Sequence, residues 1–95
     1  MPNINIRIIG SLADIIGKTD LNISTRAGAT LLDVLTEAAE KYGEDIKDRI
    51  VSPQGGFQDY IIATINGIDV REREGIRTPI EDGDKISVSQ VVVGG

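Results

Sequence analysis

Six apolar residues, Leu31, Val34, Leu35, Ala38, Ala39 and Tyr42, fall at i, i+3, i+4, i+7, i+8 and i+11. At 3.6 residues per turn that spacing lines one side of a helix and leaves the other side polar. No other feature constrains the fold as strongly, because a helix with a single apolar stripe must bury it against another layer. Thr30 stands at the N-cap position. Asp33, three residues on, approximates a capping box and favours the positive end of the helix dipole. Gly43 follows as the expected C′ residue. About twelve residues rising 1.5 Å each give a helix roughly 18 Å long, enough to cover one face of a small sheet. Glu37, Glu40 and Lys41, on the other side, read as solvated surface.

The layer that buries the stripe is a sheet. Asn3-Ile4-Asn5-Ile6-Arg7-Ile8 alternates with Ile4, Ile6 and Ile8 on one face, and Asp20-Leu21-Asn22-Ile23-Ser24 alternates again. The two read as an opening hairpin whose long loop holds one helical turn at Ser11–Ile16. Residues 60–65 form an apolar, β-branched run, which predicts a central strand. Asn66-Gly67 predicts a type I′ hairpin into Ile68-Asp69-Val70. Lys85-Ile86-Ser87-Val88-Ser89 alternates as the last strand. Residues 44–50 predict a second short helical piece, whereas residues 52–56, 71–75 and 78–84 read as loops and turns. The order β-β-α-β-β predicts one α+β domain over residues 1–95, a mixed sheet with one main helix packed across one face. Its expected core is Ile4, Ile6, Ile8, Leu21, Ile23, Leu31, Val34, Leu35, Ala38, Ile86 and Val88.

Composition removes whole classes of chemistry. The chain has 0 cysteines and 0 histidines. Disulfides, thiol nucleophiles, catalytic triads, Cys-His dyads and ordinary zinc sites are thereby excluded, and no bound cofactor is expected. A formal net charge of −5 with no basic run argues against nucleic acid and fits an acidic protein that docks on a basic partner. No segment approaches the ~18–20 apolar residues of a membrane span, and no basic-then-apolar leader opens the sequence. The expectation is a cytoplasmic protein that does not associate with membranes. Glu81, Asp82 and Asp84 read as a turn rather than a metal site, and Gly10 and Gly17 lack the Gly-Lys-Ser/Thr of a phosphate loop. Tyr42 reads as core. Phe57 is open between a surface anchor and a side chain tucked onto the domain edge. Arg71, Glu72, Arg73 and Glu74 alternate in sign as a solvated loop.

The C-terminal run is the candidate functional segment. Residues 86–93 are uncharged and lead into Gly94-Gly95. The inward phase of Ile86 and Val88 reaches Gln90, a polar residue, and Val91, Val92 and Val93 break the alternation. Either the strand continues and the valines pack on the domain, or residues 91–95 form a flexible functional tail. Such a tail pairs with a partner strand while its side chains fill pockets. Glycine lacks a Cβ, so a Gly-Gly tip passes a narrow channel and presents the Gly95 carboxylate to a partner enzyme. The internal pair Gly55-Gly56 shows that two glycines alone are not diagnostic.

Several motifs, in order and with matching spacing, resemble the MoaD/ThiS group of ubiquitin-like sulfur carriers. Gly28-Ala29-Thr30-Leu31-Leu32-Asp33-Val34-Leu35 is similar to that group's Gly-x-Thr entry to the helix. Ile65-Asn66-Gly67-Ile68-Asp69-Val70 is similar to its hairpin, and Thr78-Pro79-Ile80-Glu81-Asp82-Gly83-Asp84-Lys85-Ile86 to its Pro-Leu-x-Asp-Gly-Asp segment. Gly94-Gly95 completes the pattern. The resemblance implies a β-grasp topology with the first and last strands parallel and adjacent. It implies a carrier, not an enzyme. An activating enzyme adenylates the Gly95 carboxylate with ATP, a sulfur donor protein converts it to a thiocarboxylate, and an acceptor takes the sulfur. Gly95 would carry the sulfur, while Gly94, Val93, Val92 and Val91 thread the partner's site. The acceptor implied first is the large subunit of molybdopterin synthase. Thiamine and cysteine synthesis, a ubiquitin-like protein modifier and a plain β-grasp interaction domain remain as alternatives.

Overall fold

The computed structural model describes residues 1–91. The chain runs β1 (Asn3–Ile9), α1 (Ser11–Ile16), β2 (Asp20–Ser24), α2 (Leu31–Tyr42), α3 (Glu44–Ile50), β3 (Ile61–Ile65), β4 (Ile68–Asp69) and β5 (Lys85–Gln90). α2 starts where its cap dictates. The Thr30 hydroxyl accepts the Asp33 N–H at 3.3 Å, and the Asp33 carboxylate accepts the Thr30 N–H at 2.9 Å. Arg26 adds an ion pair to Asp33 at 3.0 Å. Asp33 is therefore held below the usual carboxylate range, first by the Thr30 backbone bond, with partial burial opposing and Arg26 assisting. Gly43 ends α2 differently from the expected left-handed C′ geometry. Its φ of 134 turns the chain directly into α3, while its N–H still closes on the Ala39 carbonyl at 2.9 Å.

The five strands lie in the order β2-β1-β5-β3-β4. β1 pairs with β5 in parallel and with β2 antiparallel, and β3 is antiparallel to both β5 and β4. This is the β-grasp arrangement. β5 is the middle strand, and the apolar run at β3 is interior as well, flanked by β5 and β4. Alternation reports whether a face is covered, not how deep a strand sits within its sheet. β5 alternates because helices cover only one side of it. At the β3–β4 turn Asn66 has φ 52 and Gly67 φ 86, the two positive values a type I′ turn requires. β4 is shorter than expected. Val70 leaves the sheet, becomes buried and opens a 3₁₀ turn at Val70–Glu72, followed by another at Gly75–Arg77.

All eleven expected core residues are buried between α2 and the sheet. Leu12, Ile46, Ile50, Ile61, Ile65, Val70 and Ile80 join them from the helices, β3 and the connections. Two aromatic readings are refined. Phe57 packs against the core and bridges Val51, so it is tucked rather than free. Tyr42 sits at the rim rather than inside, half-buried, with its hydroxyl on the backbone of Asn22. Burying a side chain such as Leu35 contributes about 1.5–3 kcal/mol, so this contact supplies much of the domain's stability.

Candidate functional site

β5 runs up the middle of the sheet and delivers the chain to one corner. Val88 is fully buried, Ser89 and Gln90 are partly buried, and Val91 is 42% exposed. Val91 keeps one tie to the sheet: its N–H donates to the Tyr60 carbonyl at 2.7 Å. The segment expected to be a free tail from Val91 is thus anchored at its first residue. Val92, Val93, Gly94 and Gly95 lie outside the described residues.

The register shows what surrounds the exit. Ser89 lies across from Ile9 of β1 and from Ile62 of β3. These three residues belong to the open face, opposite α2. Ile9 is 45% exposed and Ile62 partly buried. Tyr60, the residue before β3, holds Val91 through its backbone carbonyl, while its hydroxyl donates to the Arg49 carbonyl of α3 at 3.3 Å. The corner therefore offers an extended backbone at Val91 beside a small apolar and hydroxyl surface. Such a surface accepts a docking protein at low desolvation cost. Ile9, Ile62 and Tyr60 were not among the expected site residues. The signal for two of them was in the sequence: Ile9 follows Ile8 and Ile62 follows Ile61, each putting an apolar side chain on the polar phase of its strand.

Elsewhere the polar clusters serve the fold. Asp82 accepts the Asn3 N–H at 2.7 Å, while Asp84 accepts the Glu81 N–H at 2.8 Å and the Asn66 side-chain amide at 3.0 Å. The acidic segment is a turn, as expected, and among the described residues no cluster suited to a metal ion occurs. The Asp69 carboxyl is lowered and the Arg71 guanidinium raised by their mutual hydrogen bonds, which close at 2.8 Å. That pair follows the hairpin rather than the β5 exit. Among the described residues no helix is long and apolar enough to cross a membrane.

Known proteins share this pattern. A candidate sulfur carrier protein of Archaeoglobus fulgidus is 29% identical over 80 residues, covering 84% of this chain and 89% of the relative. Small archaeal modifier protein 3 of Haloferax volcanii is 25% identical over 92 residues, covering 97% and 98%. The crystal structure of SAMP1 from Haloferax volcanii superposes with a TM-score of 0.82 at 19% identity over 98% of this chain and 99% of that one, a likeness of fold. The model of the ThiS family matches residues 6–95, from inside β1 through Gly94-Gly95. With that match, and with a parallel β1–β5 pair at the centre of a β-grasp sheet, the chain belongs to the ThiS family of ubiquitin-like sulfur carriers.

Proposed function

We propose that this protein carries sulfur as a thiocarboxylate on Gly95, with residues 91–95 acting as the tail that enters partner enzymes. The observation that carries the reading is the family match running through residue 95. The chemistry needs no acid or base from this chain. A Gly95 carboxylate oxygen attacks the α-phosphorus of ATP on an activating enzyme, and pyrophosphate leaves. The acyl-adenylate is an electrophile where the free carboxylate was not. Hydrosulfide delivered by a donor protein then attacks the carbonyl, AMP departs with the bonding pair, and loss of the S–H proton leaves the thiocarboxylate. What this chain supplies is placement. β5 fixes the exit point, Val91 holds the direction, and Ile9, Ser89 and Ile62 form the floor on which the activating enzyme rests. Four residues beyond Val91 span at most ~14 Å when extended, the depth of site they reach.

Within this reading the acceptor is the large subunit of molybdopterin synthase, supported by the chain's length and by its loop at residues 52–57. The protein would act in the cytoplasm, together with its activating enzyme. A second reading, attachment of Gly95 to protein lysines, is favoured by the likeness to a small archaeal modifier protein along nearly the whole chain.

The test uses the chain ending at Gly95, the cognate activating enzyme, ATP and a sulfur donor. Intact mass should show one oxygen exchanged for sulfur. Deleting Gly95 withdraws the terminal carboxylate by ~3.4 Å and should abolish loading while leaving thermal stability unchanged. Loading of the shortened chain at the full rate would overturn the reading. Lysine-linked adducts in native cells, without thiocarboxylate, would move the function to the modifier. Sulfur passed to another acceptor, with none reaching the synthase subunit, would reassign the branch.

A further inference from the structure

β2 is an edge strand, and edge strands invite pairing. Its backbone groups divide by register. The Thr19 carbonyl and the Thr25 N–H bond inward, to Ile8 and Pro2, so Leu21 and Ile23 also face β1 while Asp20, Asn22 and Ser24 point outward. Only the middle one of these three is occupied. The Asn22 N–H donates to the Tyr42 hydroxyl at 3.2 Å, and that hydroxyl lies 3.3 Å from the Asn22 carbonyl, to which it donates in return. Lys41 Nζ donates to the same carbonyl at 2.9 Å. The outward backbone groups of Asp20 and Ser24 have no hydrogen-bond partner among the described residues. Two ammonium groups brace the ring, Lys41 at 5.2 Å and Lys18 at 5.6 Å from its centroid.

We propose that Tyr42 and Lys41 form a latch over the β2 edge, and that the edge beneath it is a self-association surface for a second copy of this chain. The occupant follows from the strand's own sequence. Antiparallel pairing centred on Asn22 sets Asn22 against Asn22 and Asp20 against Ser24. Within β2 no charge meets its like, which a cross-strand pair must avoid. The same register sets Leu21 of one copy across from Ile23 of the other, both on the side of the sheet that each copy's own core covers. While the latch is closed, an incoming strand finds its central hydrogen-bond positions taken, and the chain stays monomeric. The lowered pKa of the Tyr42 hydroxyl fits this geometry: the Asn22 backbone bond is its main cause, with burial opposing and Lys41 and Lys18 adding. The inference stands apart from the sulfur chemistry, since no residue of the latch lies at the β5 exit.

Sedimentation and amide exchange test it. The intact chain should be monomeric, with the Asn22 amide exchanging about tenfold more slowly than those of Asp20 and Ser24. Tyr42→Phe removes the hydroxyl and keeps the ring. It should speed Asn22 exchange in the monomer and tighten self-association by at least about tenfold. Adding Asn22→Lys to that variant sets two ammonium groups against each other at the centre of the pair and should restore the monomer. A folded Tyr42→Phe protein that stays monomeric overturns the proposal. So does association that survives Asn22→Lys, or an intact chain already paired through β2. If Tyr42→Phe does not fold, Lys41→Met carries the same expectations at smaller amplitude, and unchanged association there overturns the latch.

Discussion

The two faces of the sheet are made by alternate residues of the same strands, and they obey different rules. On the helix side Ile4, Ile6, Ile8, Leu21, Ile23, Ile86 and Val88 are buried against α2 and its neighbours. On the open side the β1–β2 half is zipped by its own side chains. Ser24 bonds Asn3 at 2.9 Å, Asn5 bonds Asn22 at 3.1 Å, and Arg7 meets Asp20 at 3.4 Å. The β5–β3 half instead carries Ser87, Ser89 and Thr64, bordered by Ile9 and Ile62. Covering paired polar groups costs their hydration, whereas covering an isoleucine only releases water. Residues one position apart thus serve different ends. One phase holds the domain together, and one half of the other phase leaves Ile9 exposed and Ile62 partly buried beside hydroxyl side chains.

The largest effect should come from the helix side. Leu35→Ala should lower unfolding free energy by about 2–5 kcal/mol, read as a shifted denaturant midpoint, while the protein still folded binds its activating enzyme as before. Loss of binding in step with stability would erase the distinction between the faces. Ile9→Asp makes the converse test. It should weaken binding to the activating enzyme by about 10–100-fold and change stability by under ~0.5 kcal/mol. An unchanged affinity would detach the apolar corner from partner docking.

Smaller effects sharpen the boundary. Thr30→Ala removes the α2 cap and should cost about 1 kcal/mol. It should also change the acid limb of a pH–stability curve. The folded pKa of Asp33 is lowered, so its contribution is complete above the ordinary carboxylate value and is lost as pH falls through the folded value. Without the Thr30 hydroxyl that acid-dependent loss should shrink, a difference thermal melts across the acid range would resolve. The smallest effect belongs to the zipped half. Arg7 and Asp20 are both well exposed, so Arg7→Ala should move stability by no more than ~0.5 kcal/mol and leave partner affinity alone. A large affinity loss at Arg7 would extend the docking surface across the whole open face.

Regular repetition and turn chemistry made the main elements of this molecule legible. The stripe of α2, the alternation of β1, β2 and β5, and the Asn66-Gly67 turn each repeat or fix a local geometry that sequence states directly. Residues contributed by connections were not readable that way. Leu12, Ile76 and Ile80 are buried from segments without periodicity, where tertiary contact alone decides. Tyr42 satisfied the helical spacing yet stopped at the rim, because its hydroxyl requires a polar partner and found one at Asn22. The central place of β5 was not in its own residue pattern, since its order in the sheet is set by which strand it meets; it came from the resemblance to the β-grasp carriers. Of the candidate site, Val91 was legible in part: the broken alternation marked where the sheet ends but not its tie to Tyr60. Ile9 and Ile62 passed unnoticed because single out-of-phase isoleucines are common on protein surfaces.

The parallel pairing of β1 with β5 also has a consequence for how the molecule is made. β1 leaves the ribosome long before β5 and waits for it, because its neighbour in the middle of the sheet spans residues 85–90. Contacts so distant along the chain are slow to form, and none of them exists in a nascent polypeptide that stops short. A fragment ending before β5 would leave β1 and β3 flanking a vacant slot and would be fit for degradation. Only chains translated past the central strand can close the sheet.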